Sequence, residues 1–298
     1  MLYSRQMLTP DGRSAPDYER LLQPLTPLSP RWFYYNSARL LLNTVGRLSH
    51  GIQLAWQTGF DSGATLDYVY ENRPQGITPL GRWLDRFYLD SPGWRGIRQR
   101  RANLERTLRE TLQHLRAEGK PARLLDIASG PGRYVLETLR DLNDPRIYAR
   151  LQDWDPRNVE AAGRRAQELG VANVTCVRGD AFDPAALDSL EPRPTLAIVS
   201  GLFELFPDNE MVTRSLRGLA AALRDGGYLI YTNQPWHPQL EFIARVLINR
   251  EGKPWIMRCR SQSEMDELVR AVGFEKLSMA TDDHGIFTVS VARRSIVP

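Results

Sequence analysis

The sequence predicts an α/β chain: a mostly parallel sheet with an antiparallel edge hairpin, preceded by a helical cap. Three observations carry this. From about residue 98 onward, short apolar runs alternate with amphipathic stretches, the pattern of parallel strands joined by crossover helices. The run Leu124 to Ile127 passes directly into Gly130-Pro131-Gly132 and then into a helical stretch from Arg133 to Leu139. Residues 1–97 are instead rich in Trp, Tyr, Pro and Gly, with helical patterns around Ser37–Trp56 and Pro79–Tyr88 and little alternation.

A helix from about Arg98 to Ala117, closed by Gly119 and Pro121, joins the two parts, so the expected domains are 1–97 and 98–298. Strands are expected near Ala122–Ala128, Ile147–Asp153, Val174–Arg178, Thr195–Ser200 and Tyr228–Asn233. Helices fill the gaps, as right-handed crossovers require. After Arg250 the signals are a helix starting at Ser263, with Asp266 three residues on, and ending at Gly273. Strands near Phe274–Ala280 and Ile286–Ala292 then form the edge hairpin.

Bulk properties narrow the class. With 298 residues and 42% hydrophobic content the chain can bury a large core. Net charge is +4; only Lys120, Lys253 and Lys276 are lysines, so 36 of the 39 basic residues (39 minus 3) are arginine. Acids are interleaved with them, as in Arg98–Arg116, so no polyanion-binding surface is expected. Cys176 and Cys259 make no disulfide framework and have no zinc spacing, which points to a reducing compartment. Met1–Arg20 has no apolar targeting core, and the longest apolar run, Leu196–Phe206, is too short to span a bilayer and carries Glu204. The expectation is a soluble cytoplasmic protein without a membrane span.

Gly130 and Gly132 allow close backbone approach, so a ligand is expected at the N-terminus of the helix that follows. A dinucleotide fingerprint needs a third small residue where Val135 stands. The stretch Leu124-Leu125-Asp126-Ile127-Ala128-Ser129-Gly130-Pro131-Gly132-Arg133-Tyr134 instead resembles motif I of the class I S-adenosylmethionine-dependent methyltransferases. Asp153 ends the second strand 21 residues beyond Gly132 (153 minus 132), where a carboxylate suits a ribose diol. Trp154 suits the adenine face, and Asp155 before Pro156 suits a helix N-cap. Gly179-Asp180-Ala181-Phe182 resembles the family's turn at the adenine amine, and Ser200-Gly201-Leu202-Phe203 the floor beneath the sulfonium. Thr195 replaces the acid usual at the start of that strand.

The resemblance covers roughly residues 98–296 and implies a Rossmann-like sheet with S-adenosyl-L-methionine as cofactor. The expected cofactor-binding residues are Asp126, Ala128, Ser129, Gly130, Gly132, Tyr134, Asp153, Trp154, Asp180, Ala181, Ser200, Gly201 and Phe203. Together with the N-terminal part, these motifs are similar to a bacterial methyltransferase group with a helical cap and no assigned general substrate.

The chain lacks the Asn-Pro-Pro-Tyr run of enzymes that methylate exocyclic or amide nitrogens, and the Pro-Cys nucleophile of cytosine C5 chemistry. A small-molecule substrate is therefore expected and nucleic acid is not. Glu204 and Asp208 find no matching carboxylates in Thr232–Pro238, so no metal is expected. Candidate catalytic groups are Tyr34 and Tyr35 in Trp32–Asn36, Tyr68 and Tyr70 in Gly59–Arg73, and His237, as a base or as a cap before Pro238. The same aromatics suit a cage that stabilises a sulfonium and excludes water. His50, His114 and His284 are assigned to structure. Three activities stay open: methyl transfer to an O or N atom of a small molecule; attack of the cofactor's own α-amine on its γ-carbon, giving azetidine-2-carboxylate and methylthioadenosine; and binding without turnover. Oligomeric state is open as well.

Overall fold

The structure is a computed structural model that describes residues 14–295. Six helices precede the first strand: α1 (Ser14–Leu22), α2 (Pro30–Asn43), α3 (His50–Thr58), α4 (Gly63–Glu71), α5 (Pro79–Leu89) and α6 (Pro92–Ala117). Serine or threonine marks their starts. Ser29, Ser49, Ser62 and Thr78 accept hydrogen bonds from the backbone of Trp32, Ile52, Thr65 and Gly81, satisfying donors that the first helical turn leaves open. The helical pattern expected around Ser37–Trp56 falls on two helices, separated by a 3₁₀ turn at Val45–Leu48. Apolar periodicity continues through the break, and the Ser49 cap restarts the helix. α6 begins at Pro92 rather than near Arg98, so one rod runs from the N-terminal helices to the sheet.

The strands are β1 (Ala122–Asp126), β2 (Ile147–Asp153), β3 (Val174–Arg178), β4 (Leu196–Val199), β5 (Tyr228–Asn233), β6 (Phe274–Thr281) and β7 (Thr288–Arg294). Their order across the sheet is β3-β2-β1-β4-β5-β7-β6. The first five are parallel; β7 enters antiparallel between β5 and β6. The crossovers and later helices are α7 (Arg133–Leu142), α8 (Pro156–Glu168), α9 (Pro184–Asp188), α10 (Asn209–Ala222), α11 (Leu240–Val246) and α12 (Gln262–Ala271). The cap of α12 lies two residues before the expected Ser263: Ser261 is the N-cap and accepts from the Glu264 backbone, the same Ser-x-x-acid spacing in an earlier frame.

One core packs α6, α7 and α8 on one face of the sheet; a second packs α10 and α12 on the other. A third joins Ala55, Phe60, Tyr68, Val69 and Leu89 to Trp94 and Ile97 of α6 and to Ile286 and Phe287 before β7. The strand order reverses between β1 and β4, and ligand clefts in such sheets open there, at the carboxyl ends of the strands.

Candidate active site

The glycine turn after β1 builds one wall of a cavity of about 510 Å³ at that switch point. Gly132 has φ 70°, and a Cβ there would stand 2.7 Å from Leu151 Cδ1, so only glycine lets α7 start against β2. A Cβ at Gly130 would meet no atom within 4 Å and would project into the ligand space. Asp153 accepts hydrogen bonds from the Gly130 backbone at 2.9 Å, the Asp155 backbone at 2.9 Å and Asn158 Nδ2 at 3.0 Å. The carboxylate is thereby fixed in the wall with lone pairs left over. Asp155 caps α8 through the Arg157 backbone.

Eleven of the thirteen expected cofactor residues line this cavity: Ala128, Ser129, Gly130, Gly132, Tyr134, Asp153, Trp154, Asp180, Ala181, Ser200 and Gly201. Asp126 and Phe203 do not. Asp126 is fully buried behind the wall, bonded to the Tyr134 hydroxyl and the Ala128 backbone. Burial pushes its pKa up to about 7, against those two hydrogen bonds. Phe203 sits in the core beneath β4, in a 3₁₀ turn that sends its neighbours Glu204 and Leu205 toward the ligand space. Trp154 is largely exposed, and the Arg178 guanidinium stacks over its ring, 4.7 Å from the centroid.

A second cavity of about 360 Å³ lies between the N-terminal helices and the sheet edge. Its walls are mainly apolar: Leu41, Leu42, Ile52, Phe60, Trp94 and Ile97 among others. Asp61, Leu66, Arg100, Gly201, Leu205 and Trp255 line both cavities and form their common wall. Within that wall Arg100, 3% exposed, meets Glu204 at 3.4 Å and lies 4.8 Å from the Phe287 ring centroid. Arg100 Nε and Glu204 Oε2 are buried and have no hydrogen-bond partner among the described residues.

The five catalytic candidates separate. Tyr70 lines the first cavity, with Arg101 over its ring at 5.3 Å. His237 lines the second. Its Nδ1 accepts the Gln239 backbone N–H at 3.0 Å, so the proton of the neutral ring sits on Nε2, and burial lowers its pKa to about 4. His237 thus offers the cavity a hydrogen-bond donor, and serving as a base would cost it the Gln239 bond. Tyr68 lines neither cavity: it is buried against the Asp85 carboxylate, which also holds Ser49 Oγ and the backbones of Gly51 and Gln75. Tyr34 is exposed on α2, and Tyr35 beside it lies next to Glu241; neither reaches a cavity. Sequence reasoning missed Arg100 and Trp255, and missed Asp67, which clamps α4 to the glycine turn. Asp67 takes Arg133 at 2.5 and 2.8 Å and Arg165 at 2.8 Å, while Arg165 also donates to the Pro131 carbonyl. Burial pulls the Asp67 pKa up, but the two arginines outweigh it and hold the group below the usual range.

An uncharacterized protein of Escherichia coli K12, YnbC, is 50% identical over 286 residues, 95% of this chain. The chain spans about half, 48%, of that relative's length. Among solved structures, one described as a possible exported protein from Bordetella parapertussis has TM-score 0.65 at 19% identity, covering 95% of this chain and 94% of its own. Magnesium protoporphyrin IX methyltransferase from Synechocystis PCC 6803 has TM-score 0.52 at 16% identity, covering 80% and 98%. These two likenesses concern the fold, which is that of the class I methyltransferases. A family model described as "Putative methyltransferase" matches residues 4–294, and the chain belongs to that family.

Proposed function

We propose that the chain transfers a methyl group from S-adenosylmethionine to an O or N atom of a largely apolar small molecule, with the N-terminal helices as the cap over the acceptor. The observation that supports this best is the pair of cavities with a common wall: the more polar one built on the glycine turn, the more apolar one beneath the helices. S-adenosylmethionine supplies an electrophilic methyl group on a sulfonium. The lining fits it: Gly130 leaves room for close approach, Asp153 suits a ribose diol, and Asp180 suits an exocyclic amine. The chain's own work is then alignment and exclusion of water. The apolar walls hold the acceptor body, and His237 Nε2–H and the Arg100–Glu204 pair give its polar end a fixed direction. Tyr70, on the cofactor side, suits packing rather than proton transfer. The Asp67 clamp holds α4 over the turn and keeps the first cavity narrow.

An apolar cavity of this size favours a separate acceptor over cyclisation, for which the cofactor needs no second chamber. The test is label transfer. Incubation with methyl-labelled S-adenosylmethionine and an organic extract of cells is expected to move label into solvent-extractable material only when the protein is present. Retention of all label in the aqueous phase by a protein that binds the cofactor, across extracts from several sources, overturns the proposal.

A further inference from the structure

Exposed apolar side chains and arginines concentrate on one face of the N-terminal helices. Among the described residues, none of the fourteen of α2 is buried, and Leu40 and Leu41 are 66% and 59% exposed. α2 runs into the 3₁₀ turn Val45–Leu48, against which α5 also packs. α5 exposes Leu80, Trp83 and Phe87, the two rings stacked with centroids 6.2 Å apart. Leu41, Val45 and Phe87 line the apolar cavity while remaining exposed, so this face is the rim of that cavity's mouth. A contiguous apolar rim of this kind marks an interaction surface.

The exposed charge that α2, the 3₁₀ turn and α5 themselves carry is all basic. Residues 29–60 contain Arg31, Arg39 and Arg47 and no Asp or Glu. α5 adds Arg82 and Arg86, and its one acid, Asp85, is fully buried and occupied by hydrogen bonds. Arg31 and Arg86 meet Glu241 and Asp90, whereas Arg39 and Arg82 have no ion-pair partner among the described residues. Over the chain as a whole acids and bases alternate; here they do not.

We propose that this face seats on an anionic lipid surface, with the mouth of the apolar cavity opening onto the bilayer. An unburied helix bearing leucines and aromatics beside arginines is the composition of an interfacial helix. Exposed Trp83 suits the headgroup level, and unpaired arginines add attraction to anionic lipid. None of the described helices is long and apolar enough to cross a membrane, so the contact is peripheral. Docking of this kind does not depend on the methyl-transfer reading. With that reading, it identifies the acceptor as a lipophilic molecule drawn from the bilayer.

The test is sedimentation of the full chain with vesicles, without cofactor or acceptor, so failure of the methyl-transfer reading leaves it unaffected. Vesicles of phosphatidylglycerol mixed with phosphatidylcholine are expected to retain the protein, and pure phosphatidylcholine much less. Each free arginine is worth about five-fold, so Arg39→Gln with Arg82→Gln lowers partitioning about 30-fold. Trp83→Ser lowers it independently, and brominated lipid quenches fluorescence in the wild type more than in that variant. These positions are exposed, and an unchanged melting curve shows that the variants fold. Absence of binding to the anionic vesicles overturns the inference, as does equal retention of wild type and double variant. Concentration-dependent self-association without vesicles, lost in the same variants, would overturn it in favour of a protein-binding face.

Discussion

Asp85→Asn tests whether one buried carboxylate organises the N-terminal helices. Asp85 is fully buried on α5 and accepts Ser49 Oγ at 2.5 Å, the Gly51 backbone at 2.9 Å, the Gln75 backbone at 2.8 Å and the Tyr68 hydroxyl. It thus fixes the start of α3, the loop after α4 and α4 itself to a single point. Asparagine keeps one carbonyl oxygen and turns an NH₂ toward donors that need an acceptor. Two charge-assisted bonds at roughly 1.5–3 kcal/mol each are lost, so the expected destabilisation is about 4 kcal/mol. At roughly 2 °C per kcal/mol for a chain of this size, melting followed by circular dichroism should fall by about 8 °C. Tyr68→Phe removes a single donor to the same carboxylate, with an expected cost of about 1–2 kcal/mol. An Asp85→Asn protein that melts within 2 °C of wild type would refute the reasoning. A Tyr68→Phe protein with unchanged melting but label transfer reduced more than a hundredfold would return Tyr68 to the chemistry.

Asp153→Ala removes the acceptor expected for the ribose diol, and calorimetry should show S-adenosylhomocysteine binding weakened by roughly 10- to 100-fold, about one to two charge-assisted hydrogen bonds; unchanged affinity would place the nucleoside elsewhere. Stability should respond to pH in two opposed ways. Asp126 is raised from 3.8 to about 7, so between those values the folded chain keeps a proton that the unfolded chain has lost, and its contribution falls as pH rises. His237 is lowered from 6.5 to about 4, so the unfolded chain takes a proton first, and its contribution is lost as pH falls through that window. Relative to wild type, Asp126→Asn should gain stability progressively between about pH 4 and 7, and His237→Asn should lose its relative disadvantage as pH drops from 6.5 to 4; parallel melting-versus-pH curves would contradict both. His237→Asn keeps an acceptor for the Gln239 backbone while removing Nε2–H, so KM for the acceptor should rise several-fold with kcat changed less than threefold, whereas a base would lose mainly kcat.

The glycine turn, Asp153 and the Asp155 cap were legible because each depends on its own strand, turn and helix start. The bounds of β2, β3 and β5 were legible for the same reason: one apolar run bounded by turns makes one strand. Asp126 and Phe203 lie in the expected neighbourhood but line neither cavity. The Asp126 side chain turns back to Tyr134, eight residues on, and that contact exists only once α7 has formed on the glycine turn. Phe203 lies in a 3₁₀ turn whose phase brings Leu205, and not Phe203, to the cofactor cavity. Tyr34 and Tyr35 carry the right chemistry on a helix that leaves them away from both cavities. Arg100 and Trp255 are 155 positions apart (255 minus 100), and nothing local in either segment announces that they share a wall.

The fragment of S-adenosylmethionine that the protein releases distinguishes methyl transfer from cyclisation. Mass spectrometry of purified protein with S-adenosylmethionine, first alone and then with cell extract, should show S-adenosylhomocysteine above a no-enzyme control only when extract is present. Enzyme-dependent methylthioadenosine together with azetidine-2-carboxylate in the absence of extract would contradict methyl transfer and show that the cofactor is cleaved by its own amine.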